Sequence, residues 1–234
     1  INEQRIYPYT GGSRFIQMGI LSQTLMARLG VGLLVVAALL GVLLFIEKGP
    51  TVLLFGLAGV ALAVMYSLGP IKLSSLGVGE IAVAIGLGVL PVTGAAWLQG
   101  ASIDIALVLF SLPVSIWVFA ILFINEVPDI EADGATGKNT LPVRLGLPGT
   151  SRLYFVLHAA AVIVITYMTL QQMLPMLAPL VPLGLLVLAW RASIAIKGGV
   201  ENRESMTQAI ESTLGIHTIG CIWLTGCLVY KIVF

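Results

Sequence analysis

Apolar residues are gathered along this chain into seven long stretches that are separated by short polar segments. An α-helix needs about 20 apolar residues to cross the hydrocarbon core of a membrane. The stretches cover residues 25–46, 50–68, 79–99, 102–124, 151–170, 173–190 and 213–234. The pattern predicts an all-α fold, a polytopic transmembrane helical bundle formed as a single domain over residues 1–234. Prolines at 175, 179 and 182 predict kinks in the sixth stretch.

The composition agrees with a membrane protein and restricts its partners. Of the 234 residues, 58% are hydrophobic and 10% are charged, whereas soluble domains carry about 25% charged residues. The net charge of +1 argues against a nucleic-acid partner, which requires a concentrated basic surface. The lipid bilayer is the expected partner, and no obligate protein partner is evident from the sequence.

Charged residues lie mainly on one side of the predicted bundle. Except for Lys48, Lys231, Glu47 and Asp104, the charged residues fall before the first stretch, in the connections after the second, fourth and sixth, or within the first four residues of the stretch that follows. The positive-inside rule places this side in the cytoplasm. We therefore expect a multi-pass protein of the cell inner or plasma membrane with cytoplasmic active-site loops. The last of these connections is predicted to be a polar loop that holds Glu201, Arg203, Glu204 and Glu211.

The most informative segment is the acidic run at residues 125–133, which follows the fourth stretch. Carboxylates beside a bilayer usually mark an ion or substrate site. On a helix, Asn125, Asp129 and Asp133 would recur at every fourth position and share one face, about 6 Å apart. Such oxygen donors suit Mg²⁺, whose coordination is completed by water and phosphate oxygens. The run predicts a Mg²⁺-dependent diphosphate site, with Lys138 beside the phosphates; the alternative is a solvated charged loop.

Two further loops on the same side carry candidate phosphate contacts. The first contains Gly-Gly-Ser-Arg at 11–14, where backbone amides and Arg14 would suit an anion, although such a segment is often only a turn. The second contains Tyr66 and Lys72, which would otherwise be a belt tyrosine and a lysine that reaches lipid headgroups. Glu80 follows and would engage an acceptor or a basic loop residue. We expect the three loops to converge over one cavity.

Three motifs resemble one protein family. The pattern Asn-x3-Asp-x3-Asp-x3-Gly-Lys-x-Thr-Leu-x-Val-x-Leu-Gly, which begins at Asn125, is similar to the second aspartate-rich motif of the UbiA-type intramembrane prenyltransferases. Tyr-Ser-x-x-Pro-x-Lys at 66–72 resembles the loop between that family's two aspartate motifs. Gly-Gly-Ser-Arg-x-Ile-Gln at 11–17 resembles the segment after the first motif in members that prenylate 1,4-dihydroxy-2-naphthoate.

The resemblance implies a bundle of nine transmembrane helices around a cavity that opens laterally to lipid. Seven of these helices are expected here, and the family's first aspartate motif, at the end of its second helix, does not occur. The chain begins at Ile1 without an initiator Met, so we expect it to be N-terminally truncated. The alternative is an inactive remnant.

The resemblance also implies the chemistry. Mg²⁺ ions would join the two aspartate motifs to the diphosphate of a polyprenyl donor, with Asn125, Asp129 and Asp133 as this chain's metal ligands. Diphosphate binding would fall to Arg14, Tyr66, Lys72 and Lys138, and catalysis to Asp129, Asp133 and Lys72. Glu126 would accept a proton from the aromatic acceptor or orient it.

The acceptor implied by the resemblance is 1,4-dihydroxy-2-naphthoate, as in menaquinone biosynthesis. Transfer to 4-hydroxybenzoate or to a tetrapyrrole stays open, because nothing in the sequence fixes the acceptor or the tail length. A CDP-alcohol phosphotransferase is disfavoured, because Asp133-Gly134 is not followed by the required Ala-Arg. A transporter would place charges near the bilayer midplane, whereas here the acids gather at one surface.

Overall fold

The computed structural model describes residues 5–68 and 71–233, and within these residues the chain is helical without strands. The α-helices are α1 (Gln23–Lys48), α2 (Thr51–Ser67), α3 (Gly79–Ala84), α4 (Leu90–Leu98), α5 (Ile105–Asn125), α6 (Ile130–Ala135), α7 (Leu141–Leu170), α8 (Leu180–Gly198) and α9 (Arg203–Val233). A π-helical turn, Ile85–Val89, joins α3 to α4. The all-α fold class is confirmed.

Six helical segments of the described chain are long and apolar enough to cross a membrane: Gln23–Lys48, Gly79–Leu98, Ile105–Ala135, Leu141–Leu170, Leu180–Glu201 and Arg203–Val233. Helix α2 is apolar but shorter, at 17 residues. Each of the seven predicted stretches thus corresponds to a helical segment. The chain has the architecture of a multi-pass membrane protein.

The core of the bundle forms where α5 packs against α3, α7 and α9, and where α8 packs against α7 and α9. Close approach of helices depends on glycine at two positions. A Cβ atom on Gly220 of α9 would lie 2.5 Å from the Trp117 ring of α5, and one on Gly88 of the π turn would overlap Ser115. Helix α1, by contrast, packs mainly against α2 and has no buried residue.

Two predicted boundaries on the C-terminal side are wrong. Helix α8 covers Leu180–Gly198 and not 173–190, so Pro175 and Pro179 precede it. Pro182 lies in its first turn, where a missing N–H breaks no helical hydrogen bond. The clear backbone break is instead at Gly146 in α7, with φ 62° and ψ 174°.

The predicted polar loop before the last helix is also mostly helical. Helix α9 begins at Arg203, so Glu204 and Glu211 lie in its first turns and the connection from α8 covers only residues 199–202. Glu, Arg, Gln and Met favour helix formation, so a membrane helix continues into the polar region beyond its apolar stretch. Hydropathy alone therefore placed both helix ends too close to the membrane core.

Candidate active site

The acidic run follows α5 in the same helical segment, but that segment is not a regular α-helix throughout. Helix α5 ends at Asn125, a 3₁₀ turn forms at Val127–Asp129, and the short helix α6 begins at Ile130. Pro128 causes the change, because it donates no backbone hydrogen bond and disfavours the α conformation in Val127 before it. The run stays within one helical segment, Ile105–Ala135, as predicted, but the 3₁₀ turn changes the helical repeat, so residues 125–133 do not form one uniform α-helical face.

The Asn125 side chain is the clearest candidate metal ligand. Its Oδ1 atom is buried and accepts no hydrogen bond from any residue that the structure describes. Leaving a buried acceptor unpaired is costly, and an amide oxygen is a suitable ligand for a hard cation. In residues 5–68 and 71–233, no three or more His, Cys, Asp or Glu side chains group around one metal position. The residues of the run thus fit Mg²⁺ as a partial set of oxygen donors.

Lys138 is held against the acidic run by an ion pair. Its Nζ atom donates to Asp133 Oδ2 at 2.8 Å, and its backbone N–H donates to the Asp133 carbonyl at 2.9 Å. Burial lowers the pKa of the Lys138 ammonium, but the hydrogen bond to Asp133 and the charge of Glu126 outweigh this effect and raise it. Lys138 therefore carries its positive charge beside the predicted ligands.

Glu80 contacts the start of α7, whereas the sequence indicated only an acceptor or a basic loop residue as its partner. It lies in the first turn of α3, is 1% exposed, and its Oε1 atom accepts the backbone N–H of Leu141 at 2.8 Å. Leu141 begins α7, where backbone N–H groups lack helical partners. Glu80 thus caps a helix 61 residues further along the chain. No local spacing predicts such a contact.

Glu126 lies against Glu80 and is also buried, at 7% exposure. Oε2 of each has no hydrogen-bond partner among the described residues, and a proton on the Glu126 carboxyl would allow a hydrogen bond between the two side chains. Adjacent carboxyl groups commonly share a proton in this way, because like charges at short range repel. Tyr66 lies close enough to interact with Glu126, Lys138 and Glu80. The structure therefore brings these four predicted residues together.

The second and third loops are joined by one backbone hydrogen bond and by the side chain of Arg144. Asn139 N–H donates to the Ser75 carbonyl at 3.0 Å, and Arg144 donates to the carbonyls of Leu76 at 2.8 Å and Asn139 at 3.2 Å. Gly77, with φ 64°, allows this approach, because a Cβ there would lie 2.8 Å from Arg144 Nε. The expected convergence of these two loops is confirmed.

The remaining predicted residues lie at the edges of this cluster or apart from it. Lys72 immediately precedes the 3₁₀ turn at Leu73–Ser75 and is exposed. Arg14 lies in the first loop with φ 55°, and its role stays a prediction. The start of that loop is fixed to α9, because Tyr9 Oη donates to Glu211 Oε1 at 2.9 Å, and this hydrogen bond raises the pKa of the Tyr9 phenol.

An apolar cavity of about 290 Å³ extends from Tyr66 between α2 and the α3–π segment. It is lined mainly by small and aliphatic side chains, among them Gly59, Leu62, Ala63, Ala82, Gly86 and Leu87. The π turn falls within this wall, and π turns are frequent at functional sites. Tyr66 thus belongs both to the lining of this apolar cavity and to the polar cluster.

Sequence comparison shows the family of this chain. The model of the UbiA prenyltransferase family matches residues 11–208. The chain therefore belongs to the UbiA prenyltransferase family, and the resemblance carried by the three motifs is confirmed.

Several curated relatives share a name. The 1,4-dihydroxy-2-naphthoate octaprenyltransferase of Bacillus subtilis is 30% identical over 152 residues, which cover 65% of this chain and 49% of that protein. The Escherichia coli protein of the same name is 32% identical over 142 residues, 58% of this chain and 46% of its own length. The Haemophilus influenzae protein of the same name is 38% identical over 91 residues, which cover 39% of this chain and 30% of that protein. The chain spans about half the length of such relatives or less, and no solved structure matches it.

Proposed function

We propose that this protein transfers a polyprenyl group from a prenyl diphosphate to an aromatic acceptor, with 1,4-dihydroxy-2-naphthoate as the acceptor. One observation carries the proposal: Tyr66, Lys138 and the buried Glu80–Glu126 pair meet at the acidic run, and Tyr66 also lines an apolar cavity. A cation suited to a diphosphate and a protonatable pair suited to an aromatic hydroxyl are thus adjacent, and Tyr66 links them to an apolar space suited to an isoprenoid. The names of the relatives supply the acceptor.

The donor's diphosphate would bind at the cationic side of the cluster. Lys138 already carries its charge beside Asp133, and the phenol of Tyr66 would donate a hydrogen bond to a phosphate oxygen. Lys72 and Arg14 would add positive charge from the neighbouring loops. Such preorganised charges stabilise the negative charge that develops as a diphosphate leaves.

The same run would hold Mg²⁺ through Asn125, Asp129 and Asp133. The unpartnered Asn125 oxygen and the carboxylate donors fit this ion. When bound, Mg²⁺ would neutralise diphosphate charge and fix its position. In this arrangement Lys138 is a natural counter-charge for Asp133 and a phosphate contact at the same time.

The apolar cavity would receive the isoprenoid chain next to the reacting carbon. Its small lining residues leave room for a linear hydrocarbon, and its apolar walls exclude water. Water exclusion matters because an allylic cation reacts readily with water. The bond between the allylic carbon and the diphosphate oxygen would break and the diphosphate would leave, while a bond forms from that carbon to the electron-rich ring. The attacked ring carbon would then give up its proton or, where it carries a carboxylate, carbon dioxide, which restores the aromatic ring.

Glu126 would act on the acceptor. A carboxyl pair that shares one proton retains a carboxylate oxygen, which can accept a second proton from an acceptor hydroxyl. Glu80 would hold Glu126 in place while it caps α7. The loops that carry these residues would face the cytoplasm of the inner or plasma membrane, because most of the chain's cations lie at this end.

The experiment is a transfer assay in lipid nanodiscs with Mg²⁺ and a labelled polyprenyl diphosphate. Parallel reactions contain 1,4-dihydroxy-2-naphthoate or 4-hydroxybenzoate. We expect a Mg²⁺-dependent prenylated product with the naphthoate. Product only with 4-hydroxybenzoate would overturn the acceptor, and diphosphate release without an aromatic product would overturn aromatic transfer as the activity.

A further inference from the structure

A second concave site lies between α8 and α9 and shares no residue with the candidate active site. Its cavity has a volume of about 390 Å³. The polar part of its lining comprises Arg191 from α8 and Ser205, Gln208 and Ser212 from α9. No carboxylate lines it, so the site has the charge of an anion-binding cavity.

Apart from Gln208, the polar side chains of this lining make no hydrogen bond or ion pair in the part of the chain that the structure describes. Arg191 makes no hydrogen bond or ion pair within residues 5–68 and 71–233, and neither do the Ser205 and Ser212 hydroxyls. Neighbouring Thr207 and Thr213 behave differently, since each hydroxyl donates to a helix carbonyl at 2.8 Å. One guanidinium and two hydroxyls therefore remain available to a ligand in the cavity.

The acidic side chain that is hydrogen-bonded to the lining does not remove this charge. Glu204 lies outside the lining, and its Oε1 atom accepts a hydrogen bond from Gln208 Nε2 at 3.4 Å. The contact leaves the Gln208 amide oxygen and one amide hydrogen free to face the cavity. The lining thus retains a net positive charge from Arg191.

The position of the cavity indicates that the anion is attached to a lipid. The last turns of α8 and the first turns of α9 form one end of the bundle, joined by residues 199–202. Along α8 from the cavity toward the membrane core, Trp190, Val187 and Leu183 are 56%, 59% and 48% exposed. A tryptophan at this level is typical of the membrane–water interface, and the aliphatic side chains continue into the acyl region.

We propose that this cavity binds the phosphate group of an anionic glycerophospholipid. The guanidinium of Arg191 would contact the phosphate oxygens as a forked donor, the Ser205 and Ser212 hydroxyls would add hydrogen bonds, and the acyl chains would lie along α8. Basic cavities between helices at one membrane face recognise lipid headgroups by this chemistry. The site is independent of the proposed transfer reaction.

The test measures lipid binding to the whole chain by native mass spectrometry from mild detergent. An anionic glycerophospholipid is titrated against a zwitterionic one with the same acyl chains. We expect Arg191→Gln to weaken anionic-lipid binding about tenfold, because a charge-assisted phosphate contact is lost. Lys197→Gln removes the same charge from the exposed surface of α8, outside the cavity lining, and should leave binding unchanged.

A second variant tests the shape of the cavity without changing its charge. Ala195→Leu places extra volume inside the lining and should also weaken lipid binding, while circular dichroism verifies that both variants stay folded. Equal losses in Arg191→Gln and Lys197→Gln, or no loss in Arg191→Gln and Ala195→Leu, would overturn the proposal. Displacement of the lipid by an equimolar amount of inorganic phosphate would overturn it in favour of a free-anion site.

Discussion

Helices α1 and α5 are both strongly apolar, yet they relate to the rest of the molecule in opposite ways. In α5, half of the most apolar stretch is buried against other helices, whereas in α1 none of it is. Apolar side chains are equally stable against lipid and against other helices, so hydropathy does not distinguish a lipid-facing helix from a buried one. Buried polar side chains make the distinction, and Ser111, Ser115 and Glu126 are all on or next to α5. The candidate active site lies at the end of the helix that is surrounded by protein.

The largest expected effect is a loss of activity when the acidic run beside α5 is altered. Replacement of Asp133 by Asn should lower kcat/KM for prenyl transfer by about 100-fold or more, because the carboxylate proposed to bind Mg²⁺ and the ion pair with Lys138 are lost together. Glu131→Gln is the matched control, since Glu131 is an exposed acid of the same short helix. Steady-state kinetics in nanodiscs measures both. Equal activity in the two variants would remove Asp133 from the site.

Glycine substitutions compare the two packing environments directly. Gly220→Ala should destabilise the bundle by about 1–3 kcal/mol, because overpacking displaces a buried ring; the new Cβ would lie 2.5 Å from Trp117. Gly30→Ala in α1 meets no atom within 4 Å and should be neutral or slightly stabilising. Thermal unfolding in detergent measures the difference. If both variants unfold at the same temperature, the packing contrast is wrong.

The Glu80–Glu126 pair separates a structural role from a functional one. Glu80→Ala should lower stability by about 1–3 kcal/mol, because the Leu141 N–H loses its buried acceptor. Glu80→Gln retains an acceptor oxygen and should restore most of that loss. Glu126→Gln should leave the unfolding temperature nearly unchanged but reduce transfer about tenfold, since a proton acceptor is removed. A stability loss in Glu126→Gln equal to that in Glu80→Ala would make Glu126 purely structural.

The smallest effect is expected at the exposed edge of the site. Lys72→Ala should raise the KM for the prenyl diphosphate about fivefold and leave the KM for the acceptor unchanged, because a solvent-exposed phosphate contact contributes modestly. Measuring both KM values in one assay shows whether Lys72 contacts the diphosphate. An unchanged donor KM would assign Lys72 to the lipid interface instead.

The features that could be predicted from the sequence are those that depend on local pattern. The apolar stretches predict the helical segments, and the position of Lys138 soon after the acidic run predicts that it lies beside those acids. The errors have physical causes: Pro128 interrupts the acidic run, and α8 and α9 continue through polar residues beyond their apolar stretches. The contact of Glu80 with Leu141 joins residues 61 positions apart, so only the packing of α3 beside α7 could reveal it.

The central claim is that the acidic run beside α5 forms a metal-dependent diphosphate site. The most direct measurement is equilibrium binding of a polyprenyl diphosphate in nanodiscs, with and without Mg²⁺, to the unaltered chain, Asp133→Asn and Glu131→Gln. We predict binding that Mg²⁺ strengthens about tenfold or more in the unaltered chain and in Glu131→Gln, and no Mg²⁺ effect in Asp133→Asn. Binding that does not respond to Mg²⁺, or that responds equally in all three proteins, would contradict the account.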